Sequence, residues 1–233
     1  MKGGKSILTM KPKHDQAFLP DDTPFEETTY PVVEIFESLQ GEGANTGLPA
    51  VFLRFGRCNL ACPWCDTDYR TYETLTGQAI LERLASFKPK NIILTGGEPL
   101  VQRRLAECAE HLRQLGYWLA LETNGLIDPP LALRRNLNYI AVSPKALYAD
   151  LYDDERMIRH ADEVRVVADG DVTAFCRDIR SRITATAYFL SPCDRDGRMN
   201  IADTIRQLGV LNQGYGKSKW LLSVQAHKLA GIP

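Results

Sequence analysis

Two hydrophobic patterns alternate along the chain from about residue 30 onwards. Short apolar runs bounded by Gly, Pro, Asn or Asp are typical of strands that are buried on both faces. Between them lie stretches in which apolar residues recur every three or four positions, as in helices that bury one face. Strands are predicted at residues 32–37, 50–55, 91–95, 117–122, 139–142, 163–168, 186–190 and 220–224.

The clearest helix lies in the middle of the chain. Apolar residues from Val101 to Leu115 follow a helical spacing, and Gly116 stands in the position of a C-terminal cap. A second helix is predicted around residues 80–85, before Pro89. This alternation predicts a parallel sheet with right-handed crossovers. Because a full eightfold barrel takes about 250 residues, we expect an α/β fold: an abridged, open (β/α) partial barrel with mostly parallel strands.

The beginning of the chain differs from the rest. Residues 1–28 are polar, contain several prolines and show no sustained periodicity. We interpret them as a flexible or loosely docked N-terminal extension. Residues 29–233 are then expected to form one domain, which agrees with a total length of 233 residues.

Composition and charge exclude several classes of protein. The 28 Lys and Arg residues nearly balance the 29 Asp and Glu residues, so we expect neither nucleic acid nor an anionic lipid surface as a partner. No run approaches the roughly 18 apolar residues that are needed to span a bilayer. The N-terminal segment also lacks the apolar region of a secretory signal. We therefore expect a cytoplasmic protein with no membrane partner.

The cysteines give the first chemical signal. Cys58, Cys62 and Cys65 form C-x3-C-x2-C in one short loop, whereas the other three cysteines of the six are isolated. Three thiolates on a four-iron, four-sulfur cluster leave one iron without a protein ligand, and a small molecule can chelate that iron. A radical S-adenosylmethionine (SAM) enzyme uses this arrangement. The spacing, with Trp64 before the last cysteine, resembles the signature of that superfamily.

Two other interpretations of the cysteine loop remain open. A structural zinc site needs four N or S ligands, and all four histidines lie far from the loop in sequence. A redox pair would use Cys62 and Cys65 and leave Cys58 without a role. A zinc-stabilised, non-enzymatic binding module is therefore the alternative outside enzymes. Iron and acid-labile sulfide in a coloured protein would exclude it.

Polar motifs follow five of the predicted strands. They occupy residues 39–43, 58–65, 95–99, 122–125 and 143–145. In a β/α barrel the carboxyl ends of the strands share one rim, which holds the active site. We therefore expect these five segments to meet at one cavity.

The order of motifs resembles the 7-carboxy-7-deazaguanine synthase family, which are radical SAM lyases of queuosine and 7-deazapurine biosynthesis. The cysteine loop and residues 95–99 mark only the superfamily, whereas Leu-Gln-Gly-Glu-Gly at 39–43 and the ending at 223–233 are more selective. The resemblance implies a carbon–nitrogen lyase that converts 6-carboxy-5,6,7,8-tetrahydropterin to 7-carboxy-7-deazaguanine and releases ammonia. Another radical SAM activity, such as a protein-radical activase, is the alternative among enzymes.

The resemblance also implies cofactors and partners. The cofactors are a [4Fe-4S] cluster, SAM and Mg²⁺, and the partners are a small pterin substrate, an electron donor such as flavodoxin and a second copy of the chain in a homodimer. No side chain is assigned as a catalytic acid or base, because the SAM-derived radical performs the chemistry.

The site residues that the resemblance implies fall into three groups. The substrate would be bound by Leu39, Gln40, Gly41, Glu42, Arg54, Thr95, His227 and Pro233. SAM would be bound by Gly97, Glu98, Ser143, Pro144, Lys145, Ser191, Pro192, Cys193 and Asp194. The metal ligands would be Cys58, Cys62 and Cys65 for the cluster and Thr67 for magnesium.

The chemistry of the expected ligands explains several of these assignments. The carboxylate of Glu42 and the amide of Gln40 suit the N–H donors on the aminopyrimidinone edge of a pterin, and the guanidinium of Arg54 suits its carboxylate. Gly97 allows the backbone to approach the SAM amino group closely. The hydroxyl of Thr67 is a hard oxygen ligand, of the kind that magnesium accepts beside substrate oxygens and water.

Overall fold

The computed structural model describes residues 22–195, 197–214 and 219–232. The strands are β1 Thr29–Leu39, β2 Pro49–Phe55, β3 Glu73–Thr76, β4 Asn91–Gly96, β5 Trp118–Thr123, β6 Tyr139–Val142, β7 His160–Ala168, β8 Thr184–Pro192, β9 Asp194–Arg195, β10 Arg198–Met199 and β11 Trp220–Leu222. The α-helices are α1 Gly77–Ala85, α2 Leu105–Gln114, α3 Leu131–Arg134, α4 Thr173–Arg182, α5 Ile201–Leu211 and α6 Ala226–Ala230. No helix in these ranges is both long and apolar enough to cross a bilayer.

Nine strands form one sheet in the order β11-β8-β7-β6-β5-β4-β2-β1-β3. Every neighbouring pair from β2 to β11 is parallel. This confirms the predicted partial barrel with mostly parallel strands. β1 is the exception, because it pairs antiparallel with both β2 and β3. β9 and β10 form a separate two-stranded sheet.

The two faces of the main sheet carry different side chains. Val51 and Ile92, which are paired across β2 and β4, belong to the main apolar core. Phe52, Ile93 and Ala120 belong to a smaller apolar cluster. Because successive side chains along a strand point to opposite faces, this small cluster lies on the other side of the sheet, the inner face of the partial barrel.

A polar row lies beside the small cluster on the inner face. Arg54 pairs with Thr95 two residues beyond Phe52 and Ile93, so both point the same way. Glu122 lies two residues beyond Ala120 on β5 and pairs with Ala141, which in turn pairs with Glu163 on β7. The inner face therefore combines an apolar floor with a row of charged and hydroxyl groups.

The N-terminal boundary differs from the prediction. Phe25, assigned to the extension by sequence, is 3% exposed and stacks on His111 with ring centroids 4.1 Å apart. Thr28 is also buried and donates its hydroxyl to the carbonyl of Pro24. A single buried aromatic in a one-turn segment leaves no periodicity to detect, which is why the sequence pattern missed this packing. Residues 1–21 lie outside the described residues.

The helix predicted at residues 101–115 is confirmed over the C-terminal part of that range, where α2 lies. Residues 99–101 instead form a short 3₁₀ turn. Gly116 follows the helix with φ +84°, as the capping pattern predicts. The short strand β3 was not predicted.

Candidate active site

One cavity gathers most of the site residues named from the sequence. They come from the loop after β1, from β2 and β4, from the cysteine loop, from the segments after β4 and β6, and from the start of α6. The cavity is lined by Leu39, Gln40, Gly41, Glu42, Arg54, Cys58, Cys62, Cys65, Thr67, Thr95, Gly97, Ser143, Lys145 and His227. Pro192, Cys193 and Asp194 line an adjoining pocket. Pro233 lies outside the described residues.

Three of the named residues are buried away from the cavity. Pro144 and Ser191 are buried, and Glu98 is completely buried. The carboxylate of Glu98 accepts hydrogen bonds from the backbone N–H groups of Leu100 (3.0 Å) and Asn124 (2.7 Å) and from the hydroxyl of Thr123 (2.8 Å). Burial raises the pKa of Glu98. Glu98 thus holds the segments after β4 and β5 in place through hydrogen bonds and does not line the cavity.

The cysteine loop is closed at its base by main-chain contacts. The backbone N–H of Arg57 donates to the carbonyl of Tyr69 at 2.8 Å. Burial raises the pKa of the Cys58 thiol to about 11 and also raises that of Cys62. A bound metal would oppose this shift, because a coordinating thiol is deprotonated.

The donor set of this loop can be tested against the expected cluster. Among residues 22–195, 197–214 and 219–232, no group of three or more His, Cys, Asp or Glu side chains is arranged to hold a single metal ion. Three cysteine ligands of a cubane each bind a different iron, so they need not converge on one point. Three thiols facing one cavity therefore fit a cluster with an open iron.

Aromatic and polar side chains hold the cysteine loop against the parallel strands. The indole N–H of Trp64 donates to Oδ2 of Asp169 at 3.0 Å. Nζ of Lys145 lies 5.5 Å from the centre of the Trp64 ring and donates to the hydroxyl of Ser143 at 2.6 Å. The loop is thereby fixed beside the two residues expected to contact SAM after β6.

A cluster of charged residues centred on Arg165 forms another part of the cavity wall. Arg165, with a side chain 7% exposed, contacts three carboxylates: Nη1 lies 3.0 Å from Oε2 of Glu42, Nη2 lies 2.7 Å from Oε1 of Glu122 and Nε lies 2.7 Å from Oε1 of Glu163. We refer to these four residues as the Arg165 cluster. One positive group balanced by three potential negative groups favours a ligand that brings N–H donors.

The pKa values of Arg165, Glu122 and Glu42 are shifted by their surroundings in different ways. Burial opposes the charge of Arg165, but the three carboxylates hold its pKa above the ordinary value. Burial also acts against ionised Glu122, yet Arg165 and the hydrogen bonds from Thr95 and Gln40 keep the pKa of Glu122 below its usual range. For Glu42 the effect of burial prevails over Arg165, so the pKa of Glu42 is raised.

The loop after β1 reaches the cavity by an unexpected route. Leu39 pairs with Pro49, the first residue of β2, so the carboxyl end of antiparallel β1 lies at the edge opposite the rim. All five motifs line the cavity as expected, but residues 39–43 do not reach it from the rim. The loop instead crosses the inner face, where Nε2 of Gln40 donates to Oε1 of Glu122 at 3.0 Å.

Arg54 and Thr95 lie on the sheet within the cavity. The guanidinium of Arg54 stacks over Phe36 at 4.9 Å and forms an ion pair with Glu34. The hydroxyl of Thr95 donates to Oε2 of Glu122 at 2.8 Å. Arg54 therefore faces the cavity, and Thr95 also helps to fix Glu122.

The start of α6 closes one side of the cavity. The backbone N–H of Ala226 donates to the carbonyl of Gly41 at 2.9 Å. A Cβ at Gly41 would lie 1.9 Å from Nδ1 of His227, so only glycine fits there. Burial and the nearby Lys228 lower the pKa of His227.

Lys228 links α6 to two other segments. Its Nζ lies 3.1 Å from Oδ2 of Asp66 and 3.2 Å from Oδ2 of Asp194. Asp66 belongs to the cysteine loop, and Asp194 begins β9 in the adjoining pocket. This ion pair network joins three of the segments that surround the cavity.

The site list drawn from the sequence omitted several residues that shape the cavity. Glu163 and Arg165 occupy alternate positions within β7, a strand whose other residues are mainly apolar. Charges at alternate positions in a strand that is expected to be buried on both faces are the signal that could have indicated them. The other omitted residues are Trp64, Asp66, Glu122 and Lys228.

Comparisons with known proteins show the family of the chain. Residues 53–169 match the model of the Radical SAM superfamily, and the chain belongs to that superfamily. The chain is also 55% identical over 208 residues to the 7-carboxy-7-deazaguanine synthase of Neisseria meningitidis serogroup B, covering 89% of this chain and 96% of that protein. It is 52% identical over 206 residues to the protein of the same name from Haemophilus influenzae, covering 88% and 95%. The chain is a member of the 7-carboxy-7-deazaguanine synthase family.

A solved structure supports the fold. The crystal structure of QueE from Escherichia coli superposes with a TM-score of 0.64 and covers 85% of this chain and 95% of that chain. Their sequence identity is 22%, so this likeness bears on the architecture alone.

Proposed function

We propose that this protein is a radical SAM lyase that converts 6-carboxy-5,6,7,8-tetrahydropterin to 7-carboxy-7-deazaguanine and releases ammonia, in queuosine and 7-deazapurine biosynthesis. The observation that carries the proposal is the 55% identity, over nearly the whole of both chains, to a relative named for that product. The cavity supports it, because three cysteines face a set of buried hydrogen-bond acceptors across one small-molecule site.

The cofactor side of the cavity would be formed by the cysteine loop and the segments after β4, β6 and β8. Cys58, Cys62 and Cys65 would hold the [4Fe-4S] cluster. Bound together, the cluster and SAM supply a carbon radical that removes a hydrogen atom from the substrate. The chain itself would bind SAM beside the loop and keep solvent from the radical. The residues for that task are Gly97, Ser143 and Lys145 on the cavity and Pro192, Cys193 and Asp194 in the adjoining pocket.

The substrate side would be formed by the loop after β1, the sheet and the end of the chain. The side chains of Gln40 and Glu42 would bind the aminopyrimidinone edge, and Arg54 would bind the substrate carboxylate. His227 lies against Gly41 beside this position. Pro233 is the further substrate contact that the family resemblance implies. A C-terminal tag should therefore raise KM for the pterin more than an N-terminal tag, and equal kinetics of the two tagged proteins would contradict this role.

Magnesium would be bound by Thr67 together with substrate oxygens and water. Thr67 lines the same cavity as the cysteines and Arg54. Chelation of magnesium should slow turnover and leave the cluster absorbance intact. Unchanged rates in thoroughly metal-stripped buffer would contradict the assignment.

The remaining partners follow from the family. An electron donor such as flavodoxin would reduce the cluster, whose loop exposes Cys65. The protein would act as a homodimer in the cytoplasm, with residues 29–233 as its radical SAM domain. Light scattering coupled to size exclusion would test the dimer.

The decisive experiment is anaerobic reconstitution with iron and sulfide, followed by incubation with 6-carboxytetrahydropterin, SAM, magnesium and a reductant. The proposal requires a deazaguanine chromophore and the release of ammonia. Cleavage of SAM without any change in the pterin would contradict it and favour another radical SAM substrate.

A further inference from the structure

The three carboxylates of the Arg165 cluster use their oxygens differently. Glu122 accepts hydrogen bonds on both oxygens, from Gln40 and Arg165 on Oε1 and from Thr95 on Oε2. Glu163 is also occupied on both oxygens, whereas Glu42 contacts Arg165 through Oε2 alone. Among the described residues Oε1 of Glu42 has no hydrogen-bond partner, and Glu42 lines the cavity. Glu42 is therefore the carboxylate that presents an acceptor to a ligand.

Glu163 holds Glu42 in place without reaching the cavity. Its side chain is 2% exposed. Oε2 of Glu163 accepts hydrogen bonds from the backbone N–H of Ala44 and from the hydroxyl of Tyr139, both at 2.8 Å. Oε1 pairs with Nε of Arg165, whose Nη1 holds Glu42. Glu163 thus acts on Glu42 from two directions, through the loop backbone and through the guanidinium.

The backbone beside Glu42 is fitted closely to Glu163. Gly43 has φ +69°, and a Cβ there would lie 2.2 Å from Oε1 of Glu163. The N–H of Gly43 donates to the hydroxyl of Ser223 at 2.9 Å. In this conformation of the loop after β1, Gly43 and Ala44 both meet their partners.

We propose that Glu163 is a positioning residue for substrate recognition. It fixes the loop after β1 and the guanidinium of Arg165 so that Oε1 of Glu42 is aimed at the adjacent N–H donors of a flat aminopyrimidinone ring. This inference rests on the proposed function for the identity of the ring. It assigns to Glu163 an effect on substrate affinity, with SAM binding and the radical-forming step left unchanged.

The test compares Glu163→Gln with the wild-type holoenzyme. Glutamine keeps the size and one oxygen acceptor, but it removes the charge that Nε of Arg165 meets. We expect KM for 6-carboxytetrahydropterin to rise about tenfold, because Arg165 loses the ion-pair contact of Nε that helps to hold Glu42. We expect kcat, the Kd for SAM and the release of 5′-deoxyadenosine without pterin to stay within about threefold.

Tyr139→Phe is the matched second variant. It removes one hydrogen bond to Oε2 of Glu163 and leaves the charge in place. We expect a smaller rise in the same KM, about two- to threefold, with the same unchanged SAM readouts. This variant also keeps the inference testable if Glu163→Gln does not fold, since an unchanged KM in Tyr139→Phe would then overturn it.

The outcomes separate the inference from the proposed function. An unchanged KM in Glu163→Gln, or a lower kcat with KM unchanged, would show that Glu163 acts on the fold alone and would overturn the positioning role. A wild-type enzyme that cleaves SAM but leaves the pterin unaltered would overturn the proposed function itself. Only a selective rise in KM in a variant with intact SAM cleavage supports Glu163 as a positioning residue.

Discussion

The two sides of the cavity are held together by different kinds of interaction. On the cofactor side, the cysteine loop closes on itself through Arg57 and Tyr69, and the N–H of Gly97 donates to the carbonyl of Phe55 at 2.9 Å. On the substrate side, charged side chains from distant strands meet: Arg165 and Glu42 are 123 positions apart. The cysteine loop is therefore built partly from contacts that are local in sequence, although Trp64 and Asp66 also tie it to Asp169 and Lys228. The substrate side depends on contacts between distant strands.

This difference has a direct consequence for mutagenesis. Changes on the cofactor side should abolish the chemistry without altering stability much. Changes on the substrate side should alter stability and substrate affinity while the cluster remains. The four predictions that follow test this division.

The largest effect is expected for Cys58→Ser, which removes one of the three proposed cluster ligands. Turnover should fall by about three orders of magnitude or more, because the radical chemistry is the cofactor's. Iron content and absorbance after reconstitution measure the loss, and circular dichroism checks the fold. Cys176→Ala, in α4 outside the cavity, is the control and should retain its iron. A Cys58→Ser variant with the iron content and activity of the wild type would contradict the division between the cofactor side and the substrate side.

Arg165→Met should cause the largest loss of stability. It leaves the buried carboxylate of Glu163 and the partly buried carboxylates of Glu42 and Glu122 without their shared cation. Breaking a buried ion pair costs about 3–5 kcal/mol. Urea denaturation of the anaerobic protein measures the free energy of unfolding. Arg182→Met is the control, because its ion pairs with Asp178 and Asp153 are exposed and worth less than about 1 kcal/mol. Equal losses of unfolding free energy in Arg165→Met and Arg182→Met would contradict the distinction between the cofactor side and the substrate side.

Gly41→Ala tests the contact between the loop after β1 and α6. The added methyl group would overlap the imidazole of His227 and push α6 away from the loop. We expect KM for the pterin to rise about tenfold with the cluster intact, as a close-packed contact of this kind costs about 1–3 kcal/mol. Gly209→Ala in α5, where a Cβ meets nothing within 4 Å, should leave KM unchanged. A wild-type KM in Gly41→Ala would show that α6 is not part of the substrate side.

The smallest effect is expected for Lys228→Met, which cuts the link between α6 and the cysteine loop. Partial burial acts to raise the pKa of Asp66, but the charge and hydrogen bond of Lys228 hold it below its usual range. The contribution of Asp66 to stability is thus present above the unfolded pKa of about 3.9 and disappears as the pH falls through the lowered folded pKa. Asp66 is largely exposed, so wild type and variant should differ by about 0.5 kcal/mol at pH 6 and converge below about pH 4. Denaturation at both pH values measures this, and a difference that grew at low pH would contradict it.

The hydrophobic pattern predicted those elements whose formation depends on short-range periodicity. The eight predicted strands all correspond to strands of the main sheet, and the motifs after β2, β4 and β6 meet at the cavity as the barrel rule requires. The direction of β1 was not predictable, because antiparallel pairing with β2 and β3 is a long-range choice that the apolar pattern does not encode.

The same reasoning explains the errors about individual residues. Glu98 stands next to Gly97 at a strand end, and spacing alone does not tell which of the two faces the ligand. In the structure Glu98 turns inward, because two backbone N–H groups there need an acceptor. Glu163 and Arg165 were overlooked for a related reason: their role depends on a loop more than a hundred positions away.

The antiparallel course of β1 also affects how the molecule is made. The N–H of Gly43 meets its partner Ser223 across 180 positions of sequence. During synthesis on the ribosome the complete cysteine motif emerges early, but the loop after β1 has no place to settle until β5, β7 and the segment after β11 have been translated. A nascent or truncated chain would thus carry the thiols of the cysteine motif without an enclosed chamber, and the contacts proposed for substrate recognition would be the last to form as the polypeptide grows.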